Sequence, residues 1–178
     1  MGGVVLIIIG NHWYFGDSLS ELGIRIDNFT HALRLVLPVT GLGMLLLLIA
    51  ATMNGEYHLE RWGDLLIYLP WALIQQHCLQ NFLFRRFQNI IPHPILALIC
   101  ASILFAALHL PNLPLVVATL FGGLLWCWLF QRVPNLFAIS ISHTLLVSLA
   151  LVFFKFSLFN QFQIGQPGHR YESFGDGV

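Results

Sequence analysis

Five long apolar runs, about Leu33–Met53, Leu65–Phe84, Ile95–Leu110, Leu115–Phe130 and Leu136–Phe156, constrain this chain more than any other feature. A helix of about 20 apolar residues crosses the roughly 30 Å of hydrocarbon in a bilayer. A chain in that medium must satisfy its backbone hydrogen bonds internally, which leaves helices or closed barrels. The runs are far longer than barrel strands, so the expected fold is all-α: a polytopic transmembrane bundle of about five to six spans. Composition agrees. Charged residues make up 9% of the chain and hydrophobic ones 57%, against roughly 25% charged in a soluble domain. The sequence therefore describes a multi-pass integral membrane protein, expected in the cell membrane with the lipid bilayer as its solvent.

Three regions follow: a segment and connector over 1–32, the bundle over 33–156, and a polar, Gly-rich tail over 157–178, expected to be mobile. The stretch Val4–Ile9 is too short to span alone. It lacks a basic flank and a cleavage site, so it does not read as a cleaved signal peptide. It reads as an interfacial segment, or as a helix extended through His12-Trp13-Tyr14-Phe15 at a membrane surface. If it does cross, alternate loops place Arg25, Arg34, Arg85, Arg86 and Arg132 on one side and Arg61, Lys155 and Arg170 on the other, which puts the first set in the cytoplasm. Eight basic residues balance eight acidic ones without a basic tract, so no nucleic acid is expected as a partner. Cys78, Cys100 and Cys127 fall inside apolar runs without CxxC spacing and read as small packing residues. Gly122-Gly123 reads as a point of close helix approach.

Polar groups interrupt the second run. In WALIQQHCLQNFLFRRF, Gln76, His77, Gln80, Asn81 and Arg85 share one broad helical face at about 100° per residue. Such a stripe is poorly placed against lipid and should face other helices or a water-filled cavity. Its bland reading is interhelical hydrogen bonding, and arginines at a helix end ordinarily reach for headgroups. Two further histidines, His109 in FAALHLPN and His143 in AISISHTLLVS, lie in other runs. Three histidines on three helices of one small bundle suggest a shared site.

The arrangement resembles the CPBP family of intramembrane proteases, also called the CAAX protease and bacteriocin-processing, or Abi, family. Its members carry EExxxR on one helix, FxxxH on the next and HxxxN or HxxxD on a later one. QNFLFR (Gln80–Arg85), FAALH (Phe105–His109) and HTLLV (His143–Val147) occupy these places in order, and the resemblance covers about 65–150. LSELGIR is similar to the connector that precedes the family's core. The resemblance implies an endopeptidase, a hydrolase acting on a hydrophobic peptide or membrane-protein substrate in or near the bilayer. It implies that Gln80 and Asn81 occupy the positions of the water-activating glutamates, that His109 and His143 position water or stabilise the oxyanion, and that Arg85 orients the first-motif helix.

Departures from the pattern leave three readings. Gln80 and Asn81 are amides, which cannot take a proton from water, and Val147 stands where the third motif has an amide or acid, with Ser148 beside it. The chain can be a pseudo-protease or immunity-like protein that binds a hydrophobic peptide. It can use another base, with His77, about one turn before Gln80 and Asn81, as the candidate. Or His77, His109 and His143 can hold a metal ion, although no HExxH pair supports one. The expected complement is no cofactor. A small channel or carrier would need polar residues at both entrances, and the runs offer few.

Overall fold

The computed structural model describes residues 10–54 and 64–153. The segment Val4–Ile9, most of the loop before the second run, the 157–178 tail, and with them Arg61, Lys155 and Arg170, lie outside the described residues. After a helical stretch over 10–15 and a connector, the chain forms α1 (Phe29–Asn54), α2 (Asp64–His77), a π-helical segment (Cys78–Phe84), α3 (Arg85–Ile90), α4 (Pro94–Ala107), α5 (Leu113–Arg132) and α6 (Leu136–Phe153). No strand occurs among the described residues. The all-α bundle expected from the apolar runs is the observed fold. Phe29–Met53 and Leu113–Arg132 are each long and apolar enough to cross a membrane, whereas Pro94–Ala107 and Leu136–Val152 are shorter apolar helices.

The second run does not end at Phe84. It passes through the π segment into α3, where the Arg85 N–H donates to the Gln80 carbonyl, five residues back. The chain stops at Ile91, whose backbone is extended, as expected for a residue preceding Pro92. Pro94 then begins α4 at a position where a missing N–H costs nothing. Asn112 caps α5 by accepting from the Leu115 N–H at 3.1 Å. Asn135 caps α6 in the same way, accepting from Ala138 N–H at 2.9 Å.

Helix α6 packs on both α1 and α2, α5 packs chiefly on α4, and the π segment joins the two groups through α4 and α5. One apolar core combines Ala32 and Val36 of α1 with Trp126, Leu129 and Phe130 of α5 and Ile139 of α6. A second combines Leu79 and Phe84 with Ala101 and Phe105 of α4 and Cys127 of α5. Gly123 allows the α4–α5 approach: a Cβ there would lie 3.2 Å from the Ser102 side chain. Leu42, Leu45, Leu46 and Leu48 of α1 and Val117 and Phe121 of α5 remain exposed. Such a surface suits lipid and would be a liability in water.

The connector is bolted to the turn between α5 and α6. Leu136 N–H donates to the Gly23 carbonyl at 2.8 Å. Asn135 Nδ2 donates to the Arg25 carbonyl at 2.9 Å, and Asn28 Nδ2 to the Pro134 carbonyl at 3.0 Å. These bonds hold the end of the LSELGIR segment against the α5–α6 turn.

Candidate active site

The α2–π helix presents two polar lines rather than one stripe. Gln76 and Gln80 form the first, facing α6. Both are fully buried. Gln80 Nε2 donates to Gln76 Oε1 at 3.0 Å, and Gln76 Nε2 lies 3.1 Å from His143 Nδ1. An amide nitrogen can only donate, so His143 Nδ1 carries the lone pair and its Nε2 carries the proton. Trp126 stacks on the His143 ring with centroids 4.3 Å apart, while its own N–H donates to Ser142 Oγ at 3.3 Å. The ring is therefore fixed both in plane and in tautomer.

His109 is held in the opposite tautomer. Its Nδ1 lies 3.0 Å from the Phe105 carbonyl, which can only accept. Nδ1 thus carries the proton, and Nε2 is left with a lone pair. The FxxxH spacing explains the bond, because i and i+4 lie on one face of a helix turn, and the Phe105 and His109 rings meet edge to face at 5.1 Å. The two rings thus offer a nitrogen donor on α6 and a nitrogen acceptor just beyond α4.

The second line, His77, Asn81 and Arg85, faces the connector. Asn81 Nδ2 donates to the Leu22 carbonyl at 3.0 Å and lies 3.0 Å from His77 Nδ1. His77 Nε2 is 3.1 Å from His12 Nε2, and His12 Nδ1 is 2.7 Å from Asp17 Oδ2. Since Asp17 accepts and Asn81 donates, every bond along this chain runs from Asn81 toward Asp17. Arg85 Nε donates to Asp17 Oδ1 at 2.7 Å and its NH2 pairs with Glu21 Oε1 at 3.2 Å. Arg86 donates to the same Asp17 carboxylate and lies under the Phe15 ring at 4.0 Å. Burial raises the Asp17 carboxyl, but hydrogen bonds from Arg86, His12 and Arg85 outweigh it and hold it down to about 2. The exposed Glu21 carboxyl is also lowered, by its bonds to Ser18 and then Arg85.

The sequence grouping is thereby divided. Gln80, His109 and His143 belong to one cluster and His77, Asn81 and Arg85 to another. Both ring nitrogens of His77 are occupied. Among the described residues no group of three or more His, Cys, Asp or Glu side chains could hold a metal ion, and His77, His109 and His143 do not form one. Val147 is half-buried and Ser148 Oγ is buried without a partner. Gln76, His12 and Asp17 belong to these clusters although the sequence reading gave them no role. Gln76 was legible as part of the polar stripe; nothing local marked His12 or Asp17.

Gln80 Oε1 and Asn81 Oδ1 are buried and have no hydrogen-bond partner. These two oxygens sit at the positions of the paired glutamates in EExxxR, and each brings an unmet acceptor into the packing.

Residues 65–149 match the family model for type II CAAX prenyl endopeptidase Rce1-like proteins. Over these residues the chain is similar to the CAAX protease family. No curated protein and no solved structure matches the chain. The CAAX-type core begins in α2 and ends in α6, so it contains Gln80, His109 and His143 and leaves the connector outside. The match and two membrane-length helices, Phe29–Met53 ahead of the matched region and Leu113–Arg132 within it, mark a membrane protein.

Proposed function

We propose that the protein is a multi-pass endopeptidase of the cell membrane that hydrolyses a peptide bond of a hydrophobic peptide or membrane-protein substrate at bilayer depth. The observation that carries this reading is the pair of opposite tautomers, His109 with an open Nε2 and His143 with an Nε2–H. A water between His109 and the scissile carbonyl gives its proton to His109 Nε2 as its oxygen bonds to the carbonyl carbon. The oxyanion that forms accepts from His143 Nε2–H. His109 then returns the proton to the leaving amine as the C–N bond breaks, giving a new carboxyl and a new amino terminus. Gln80 borders the water site as a neutral group, while Asn81 and Arg85 fasten the same helix to the connector. His77, with both nitrogens engaged, supports the second cluster rather than the base.

A second reading, capture of a hydrophobic peptide without cleavage, is favoured by one observation. The acidic residues whose side chains are described, Asp17, Glu21 and Asp27, all lie in the connector and pair with arginine, and none of them bonds to His109 or His143. The test is hydrolysis of a hydrophobic peptide library by the purified protein in proteoliposomes, read by mass spectrometry, beside His109→Ala and Gln80→Glu/Asn81→Glu variants. Cleavage by the wild type, reduced about 100-fold or more in His109→Ala, is the expected result for loss of a general base. Peptide retention without cleavage by the wild type, with turnover gained in the double-glutamate variant, would replace it with the binding reading.

A further inference from the structure

We infer that Gln76 is a positioning residue that sets the tautomer of His143, and that Gln80 acts through it. The inference gives Gln80 work that a glutamate could not do. Its catalytic meaning rests on the hydrolytic reading above, but the hydrogen-bond ladder does not.

Gln76 lies four residues before Gln80, outside the three motifs, and its side chain is completely buried. Its amide has two faces, and which of them meets His143 decides the imidazole. If Nε2 faces Nδ1, the ring must carry its proton on Nε2 and can donate to an oxyanion. If Oε1 faces Nδ1, the ring must place its proton there, and Nε2 becomes an acceptor that repels an oxyanion. Gln80 Nε2 settles the choice by donating to Gln76 Oε1 at 3.0 Å, which turns Gln76 Nε2 toward His143 at 3.1 Å.

Reversing both amides would keep the same contacts, but it would bury the two N–H donors of Gln80 in place of its unpartnered oxygen. An orphaned buried N–H is rarer than an under-satisfied carbonyl. The ladder therefore runs from Gln80 through Gln76 to His143. A glutamate at 80 would be ionised or would offer a single proton in competition with its other partners. Ionised, it could not donate to Gln76 Oε1 at all. The amide at 80 thus converts a position suited to proton abstraction into one that orients a hydrogen-bond donor one helix away.

The experiment is nitrogen-15 NMR of histidine-labelled protein in bilayers, with the His143 ring assigned by its loss in His143→Asn. The wild type is expected to show a protonated Nε2 and an unprotonated Nδ1. In Gln76→Glu the carboxylate accepts from Nδ1–H, so the pattern inverts. Peptide hydrolysis should then fall about 100-fold in kcat, the usual cost of losing one oxyanion donor, with KM changed less than about twofold, as for an interaction confined to the transition state. Should Gln76→Glu fail to insert, Gln80→Met removes the donor without burying a charge, and His143 should become a mixture of both tautomers. A wild-type His143 protonated on Nδ1, or a tautomer unmoved by either variant, would overturn the assignment. The NMR result stands whether or not turnover is seen, so absence of hydrolysis in the wild type would sink the protease reading alone.

Discussion

Asp17 shows how much of this molecule depends on contacts remote in sequence. Its carboxylate, 2% exposed, is held by Arg85, Arg86 and His12 and fastens the connector to the second-run helix. The carboxyl is lowered from 3.8 to about 2, so its contribution is complete above its ordinary value and is lost as pH falls through the folded one. The shift corresponds to about 2.4 kcal/mol, or about 60-fold in the opening equilibrium. Hydrogen exchange of residues 17–25, corrected for intrinsic rates, should be constant from pH 7 to about 4 and accelerate below it. In Asp17→Asn the faster rate should already be present at pH 7 and show little further change. Exchange that accelerates equally in both proteins would remove Asp17 as the anchor. The arginine half of this contact was readable at the end of an apolar helix. The other half was not: Asp17 and His12 sit in a polar connector, and no local spacing signals a partner 65 or more positions away.

At the scale of elements, the apolar runs located the helices because hydrocarbon length and backbone satisfaction leave few alternatives. They did not locate the π segment, which has no proline or glycine to mark it. The 100° wheel placed five polar residues on one face, whereas packing against α6 on one side and the connector on the other separates Gln76 and Gln80 from His77 and Asn81. Gly23 makes the connector's approach possible. It adopts φ 70°, and a Cβ on it would lie 2.7 Å from Phe130 Cε2 and 2.9 Å from the Leu136 nitrogen. Gly23→Ala should destabilise the protein by about 2 kcal/mol or more, because strain and a backbone clash combine. Gly41 is the control: it lies inside α1, and a methyl added there would meet nothing within 4 Å. Gly41→Ala should be neutral or stabilise by about 0.5 to 1 kcal/mol. Equal effects in detergent-solubilised unfolding would mean that the connector does not need this close approach.

For the whole molecule, helix lengths lead to an expected depth for the candidate site. Helix α1 has 26 residues, about 39 Å of rise, and α4 has only 14, about 21 Å. A helix of that length entering from one surface ends within the hydrocarbon, and His109 lies two residues beyond the end of α4. The turn that follows is apolar where a solvent-facing turn would be polar: Leu108, Leu110 and Leu113 are all exposed. That exposure suits lipid contact, and the expectation is that the α4–α5 turn carries His109 to bilayer depth. In a background with Cys78, Cys100 and Cys127 replaced, His93→Cys before α4 should react with both charged and lipid-soluble maleimides in sealed vesicles opened to both faces. Leu110→Cys should react with the lipid-soluble reagent and at least about tenfold more slowly with the charged one, as expected where charge entry costs about 2.5 kcal/mol or more. Equal charged labelling of both positions would place the turn in water, and the peptide bond cut beside His109 would then belong to a surface segment of the substrate rather than to its membrane-embedded part.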